Sequence, residues 1–277
     1  MPARLAVFGG VYSNPEALRT TLEDIDRHGD DAAWCLGDLG GFGPDPEECA
    51  ELLRERGVPM IQGNYDHSIG HRLGDCACGY TDPRDVAFAQ ASYDFTNAHV
   101  TEETRAWLRA LPPQVRLDIE GRRVLLCHGS PRRVNEFLWD SQCSDAFLSW
   151  LCDEHTADVV VCSHSGLHWH RALPGGRHFV NCGAIGRPAH DGRPLATYAA
   201  LAFAGPHVTV EFREVRYDHE ALAARMELLG LPPEFAETIR TGWWTTCLEN
   251  LPARERVQRS SATRAVETAR AVESRTR

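Results

Sequence analysis

Short apolar runs rich in β-branched residues alternate with amphipathic stretches through the first half of the chain. The period-two runs predict strands over Leu5 to Phe8, Ala32 to Leu36 and Pro59 to Gln62, and the 3.6-residue pattern predicts helices over Pro15 to His28 and Asp45 to Arg56. The second of these helices has Asp45 placed to cap it, Pro46 at its first position and Glu47 and Glu48 in its first turn, where negative charge meets the positive end of the helix dipole. Strands and helices alternating at this spacing imply βαβ units. From Gly70 to Pro83 the pattern breaks into a Gly-, Asp- and Cys-rich loop, and loops of that length usually carry function or disorder.

Helices are predicted over Val86 to Asn97, Glu102 to Ala110 and Ser144 to Glu154. Strands follow at Arg116 to Ile119, Arg123 to Cys127, Val159 to Cys162, Arg177 to Asn181, Thr197 to Phe203 and His207 to Arg213. So many strands in the second half imply a second sheet stacked on the first. The expected class is α/β, a layered sandwich of two mixed β-sheets flanked by helices. Two helices, His219 to Leu229 and Pro233 to Arg240, close a single domain over residues 1–254. Beyond it the chain has few large apolar residues, which predicts a mobile tail over 255–277.

A formal net charge of −10 argues against non-specific binding to a nucleic-acid backbone, which depends on Lys and Arg neutralising phosphates. It leaves room for a small anion held by a cation. No apolar run approaches the roughly 20 residues that span a bilayer, and the first residues lack the pattern of an export signal. The expectation is therefore a cytoplasmic protein with its 10 cysteines reduced, Cys35, Cys127 and Cys162 serving as small hydrophobes in strands. Oligomeric state is not readable from these residues.

The chemistry sits where strands stop. In an open α/β sheet, loops and helix N-termini converge at the carboxyl ends of the strands. Read in order, those ends are Gly9-Gly10-Val11-Tyr12, Gly37-Asp38, Gly63-Asn64-Tyr65-Asp66, His128-Gly129-Ser130-Pro131 and Ser163-His164-Ser165-Gly166. One Asp, one Asn and two His each follow an apolar run, a mix of oxygen and imidazole donors that suits Mn, Fe, Zn or Ni. A dinucleotide site fits less well, because Gly9-Gly10 lacks the Gly-x-Gly-x-x-Gly spacing.

The ordered set Gly-Asp, Gly-Asn-x-Asp, His-Gly-Ser-Pro and a late His signature resembles the calcineurin-like metallophosphoesterases, in their compact bacterial phosphatase and phosphodiesterase branch. The resemblance runs from residue 4 to about 245. It implies hydrolysis of a phosphate ester by a metal-activated water between two ions. Asp38 would be the bridging carboxylate, with Asn64, His128 and His164 completing one site. The other site departs from the pattern. Gly10 and Tyr12 stand where the family has Asp-x-His, Gly166 replaces the last His of Gly-His-x-His, and Tyr65 replaces the His that would protonate the leaving group.

Three readings follow from the residues. With one ion, an arginine (Arg84, Arg132 or Arg133) and Tyr12 would bind phosphate, and Asp66 or His67 would stand in as proton donor at Tyr65. With two ions, His67, His71, Cys76, Cys78, His168 or His170 would rebuild the missing site. In the third, the chain is a catalytically inactive phosphate- or nucleotide-binding module. The expected partner throughout is a small phosphorylated molecule, and for an Arg-lined, lidded pocket a monoester is favoured over a diester. Trp243, Trp244 and Cys247 are expected to pack against the sheet.

Overall fold

The computed structural model describes residues 3–256, so nearly all of the expected tail lies outside the described residues. Two mixed sheets stack face to face, each covered on its outer side by helices. The first sheet runs β2 (Ala32–Cys35), β1 (Ala3–Phe8), β8 (Leu195–Ala204), β9 (His207–Arg216). β1 and β2 are parallel, and β8 is antiparallel to both of its neighbours. The second sheet runs β3 (Gln114–Ile119), β4 (Arg122–Cys127), β5 (Val159–Cys162), β7 (Arg177–Cys182), β6 (His168–Leu173). Its centre, β4–β5–β7, is parallel, and both edges are antiparallel.

The two-residue period of a strand explains the layering. Leu5 and Val7 point between the sheets, where they meet Val124, Leu126, Val159, Val161 and Val180. Ala6 and Phe8, one step out of phase, face helices α1 (Pro15–His28), α2 (Pro46–Glu55), α7 (His219–Leu228) and α8 (Pro233–Thr241). On the other sheet, Leu125, Cys127, Val160 and Cys162 face α6 (Asp145–Glu154). Cys35, Cys127 and Cys162 are buried free thiols, as expected. Among the described residues no helix is long and apolar enough to cross a membrane.

Four expectations need correction. Pro59 to Gln62 forms a single bridge, Met60 to Cys35, instead of a strand, because the Gln62 amide turns away to donate to the Pro112 carbonyl at 2.8 Å. A helix absent from the sequence reading, α3 (Asn64–His71), starts at the Asn motif. An unexpected edge strand, β6, pairs with β7. Residues 253–256 form a short helix, α9 (Ala253–Arg256), held where the Glu255 carboxylate accepts from Ser141 N and Oγ at 3.0 and 2.6 Å. The remaining helices are α4 (Pro83–His99) and α5 (Glu102–Ala110).

Candidate metal centre

The loops leaving β1, β2, β4, β5 and β7 are stitched together by backbone bonds. Gly10 N and Tyr12 N donate to the carbonyls of Gly37 and Asp38 at 2.9 and 3.0 Å. Ser163 N donates to His128 O at 2.8 Å, and Gly186 N to Gly10 O at 2.9 Å. Side chains at five strand ends therefore share one crevice.

Asp38, Asn64, His128 and His164 meet there, each at most 6% exposed. His128 Nε2 lies 3.1 Å from Asn64 Oδ1, 3.1 Å from His164 Nδ1 and 3.2 Å from Asp38 Oδ2. Second contacts fix the aim of these atoms. His128 Nδ1 donates to the Leu36 carbonyl at 2.6 Å, which directs the Nε2 lone pair inward. Asn64 Nδ2 donates to Cys76 O at 2.7 Å, so its oxygen faces the site. Asp38 Oδ1 accepts from Tyr65 N at 3.1 Å. Asp38 sits in the left-handed region (φ 57°), a conformation that Asp tolerates and that recurs at functional sites. A Cβ on Gly63 would fall 2.3 Å from Asp38 Oδ1, so only glycine admits this approach.

Lone pairs facing lone pairs repel unless a cation or a proton lies between them, and the donor set of one carboxylate, one amide oxygen and two imidazoles fits a divalent transition metal. Among the described residues Asp38, His128 and His164 can offer ligand atoms within 4.8 Å of one another. Burial opposes the charge on Asp38, but His128 beside it holds the carboxyl below its usual range. Burial likewise disfavours charge on His128, yet Asp38 raises its pKa. His164, desolvated and next to His128, is pushed down to about 3 and is neutral.

The other expected site residues fall elsewhere. Asp66 is fully used by the backbone: Oδ2 accepts from Gly63 N and Asp38 N at 2.7 and 2.8 Å, and Oδ1 from Leu39 N at 2.9 Å. It braces the loop instead of facing the cavity. His67 and His71 are on the exposed side of α3, where Nδ1 of His67 meets Gln62 and Nδ1 of His71 meets the His67 carbonyl. His170 joins His178 across β6 and β7 at 2.9 Å, and His168 packs near Phe212. Cys76 and Cys78 are bonded to each other in a disulfide, contrary to the expectation of reduced thiols, and their loop holds the Asn64 amide. Arg132 is exposed and paired with Glu136, Arg133 is exposed, and Arg84 donates to Thr245 O at 3.0 Å outside the cavity.

A small cavity of about 60 Å³ opens beside the four converging side chains, with Asp38 and His164 on its wall. Tyr12, Tyr65, Tyr80, Phe137 and Cys247 also line it. Burial raises the phenols of Tyr12, Tyr65 and Tyr80 above their ordinary value. Tyr65 Oη donates to Ser92 Oγ at 3.1 Å. The cation in this wall is Arg187, a residue absent from the sequence reading. It follows β7 in Asn181-Cys182-Gly183-Ala184-Ile185-Gly186-Arg187, a fifth strand end with a glycine pair, and that position was the signal available for it. Trp244 is buried, but against Trp139, Leu251 and the Arg187 guanidinium instead of the sheet, Trp243 is only half-buried, and Cys247 lines the cavity.

An uncharacterized protein of Methanocaldococcus jannaschii is 25% identical over 254 residues, covering 86% of this chain and 98% of its own. A hypothetical protein from Pyrococcus horikoshii shares the fold at a TM-score of 0.74 and 22% identity, over 87% of this chain and 98% of that one. A metallophosphoesterase from Sphaerobacter thermophilus does so at 0.66 and 24%, over 87% and 100%. A family model for the calcineurin-like phosphoesterase superfamily domain matches residues 4–205, a span that contains the four converging side chains and Arg187. The chain belongs to the calcineurin-like phosphoesterase superfamily.

Proposed function

We propose that this protein hydrolyses small phosphate monoesters at a single divalent ion held by Asp38, Asn64, His128 and His164. The observation that carries the reading is the meeting of the other three donor atoms around His128 Nε2 at 3.1–3.2 Å. Such an ion, when bound, polarises a phosphoryl oxygen and lowers the pKa of water to about 7.

The chain's own residues supply the rest. Leu36 O and Cys76 O orient the ligands, and the aromatic wall limits water to a small volume, which strengthens electrostatic interactions inside it. A monoester is favoured because the cavity is narrow and contains one arginine, a fit for a terminal phosphoryl group. None of the phenols lining it is tuned for proton donation near neutral pH, and Asp66 is committed to the backbone. General acid help is worth roughly 10²–10⁴ in rate. The enzyme should therefore prefer substrates with good leaving groups.

The test is turnover of p-nitrophenyl phosphate against bis(p-nitrophenyl) phosphate with Mn, Fe, Ni or Zn, followed by a series of aryl phosphates. The expected result is metal-dependent monoester hydrolysis with a steep dependence on leaving-group pKa. Tight phosphate binding with no turnover under any metal would point instead to the inactive binding module, a reading favoured by the ligand losses at positions 10, 12 and 166.

A further inference from the structure

Positions 10, 12 and 166, where the chain departs from the motif pattern, are rebuilt as one unit. A Cβ on Gly10 would lie 2.7 Å from the Ala184 Cβ and 3.0 Å from Cε2 and Cζ of Tyr12, so Ala184 and the tyrosine ring together take the space that a carboxylate at position 10 would need. A Cβ on Gly166 would lie 3.2 Å from Cη2 of Trp244, so that indole closes the third position. The same indole carries the Arg187 guanidinium, whose carbon sits 4.0 Å from its ring centroid and 4.9 Å from that of Phe42.

Arg187 is 7% exposed. One terminal nitrogen donates to Thr246 O at 2.7 Å and lies 3.5 Å from Thr246 Oγ1, and Nε is buried with no hydrogen-bond partner among the described residues. Among the described residues the guanidinium meets a carbonyl, a hydroxyl and two aromatic faces, and it lines the cavity together with Asp38 and His164. A buried charge without a counter-ion costs several kcal/mol, and an unpaired buried N–H adds to that cost. Aromatic faces recover part of it through cation–π attraction and offer the guanidinium no hydrogen-bond acceptor. Its field also opposes the upward shift that burial imposes on Tyr12, Tyr80 and Cys247.

We infer that Arg187, backed by Trp244 and Phe42, is the phosphoryl-binding cation of this site and takes the place of a second metal ion. The charge balance agrees. Losing a divalent ion together with one carboxylate ligand removes one net positive charge, and Arg187 restores one. Arg also offers a planar fork that matches two phosphoryl oxygens. The inference rests on the single-ion reading above, with Arg187 as a substrate-binding residue.

The test measures metal content by ICP-MS and binding of inorganic phosphate by calorimetry on Mn-loaded wild type, Arg187→Met and Arg187→Lys. The expected result is one ion per chain in all three, with phosphate affinity falling roughly 10–100-fold in Arg187→Met and less in Arg187→Lys. A folded Arg187→Met protein with wild-type phosphate affinity, or two ions per wild-type chain, overturns the inference. Should Arg187→Met fail to fold, tungstate soaked into wild-type crystals decides: density in hydrogen-bond reach of Arg187 supports the assignment, and density elsewhere ends it. Arg187-dependent phosphate binding without turnover of any ester would defeat the hydrolase reading and leave this assignment standing.

Discussion

Replacing Asp66 by Asn separates a loop brace from a proton donor. The carboxylate accepts three backbone N–H groups, from Gly63, Asp38 and Leu39, at 2.7–2.9 Å. These bonds join the loop carrying Asp38 to the start of the helix carrying Asn64. An amide has one acceptor oxygen. With that oxygen kept toward Gly63 and Asp38, its NH2 opposes Leu39 N–H, and a buried donor left unpaired costs about 1–3 kcal/mol. The two surviving bonds lose their charge assistance, which about halves them. The expected total is about 3 kcal/mol. For a domain of this size that is a fall in Tm of about 6–12 °C, measured by calorimetry. Because Asp38 and Asn64 lose their support, metal affinity should also drop about 10–100-fold. A catalytic acid would behave differently. Burial, and then the charge on Asp38, raises the Asp66 pKa to about 6, so as a general acid it would give a rate that falls as pH rises through about 6. An Asp66→Asn protein that keeps wild-type Tm and metal content, but loses rate together with that pH limb, would refute the brace.

Other expectations follow from the same geometry. Either Asp38→Ala or His128→Ala should abolish metal retention and hydrolysis together, and full metal content by ICP-MS in either variant would contradict the ligand assignment. Chelation should destabilise the fold. At a hundredfold excess of metal over its Kd the bound ion adds about 2.7 kcal/mol, so EDTA should lower Tm by about 5–10 °C. His67→Ala should leave kcat/KM and metal content within about twofold of wild type, since surface changes away from such a site have small effects; a tenfold loss would return His67 to the site. Asp158 accepts from Arg123 N, Nε and a terminal nitrogen at 2.8–3.0 Å, and the Arg123 guanidinium depresses its pKa to about 2. A depressed carboxylate stabilises the fold above its unfolded pKa and loses that contribution as pH falls through the folded value. Asp158→Asn should therefore cost about 1 kcal/mol at pH 7 in urea unfolding, with the difference shrinking from about pH 4 toward pH 2. A difference that does not change over that range would show that the ion pair is not its source.

Much of the architecture was legible because hydrophobic period and element type agree. The helix Pro15–His28 and the strand Val159–Cys162 match their expected bounds. The four converging side chains were legible for a related reason: Asp38, His128 and His164 follow apolar strands and Asn64 follows the Met60 bridge, so topology brings them to one edge. Helix α3 was not readable, because Asn64, Asp66, His67, Ser68 and Gly70 have little helical preference and the segment is held by tertiary bonds, such as Arg105 to the Ile69 carbonyl at 2.8 Å. Strand β6 was hidden by His168, His170 and Arg171 in a short edge strand. Asp45 marks the start of α2, yet its carboxylate pairs with Arg225 at 2.7 Å and makes no cap. Arg187 was missed because the glycines after β7 mark a strand end without singling out the arginine. Its place depends on Gly186 meeting Gly10, and on Trp244 arriving from 57 positions later in the chain.

Anomalous diffraction from crystals grown with Mn or Zn tests the central claim most directly. The account predicts one peak per chain, within bonding distance of Asp38, Asn64, His128 and His164, with none beside Tyr12 or Gly166. A peak that avoids these four side chains, or a second peak beside the first, would contradict it.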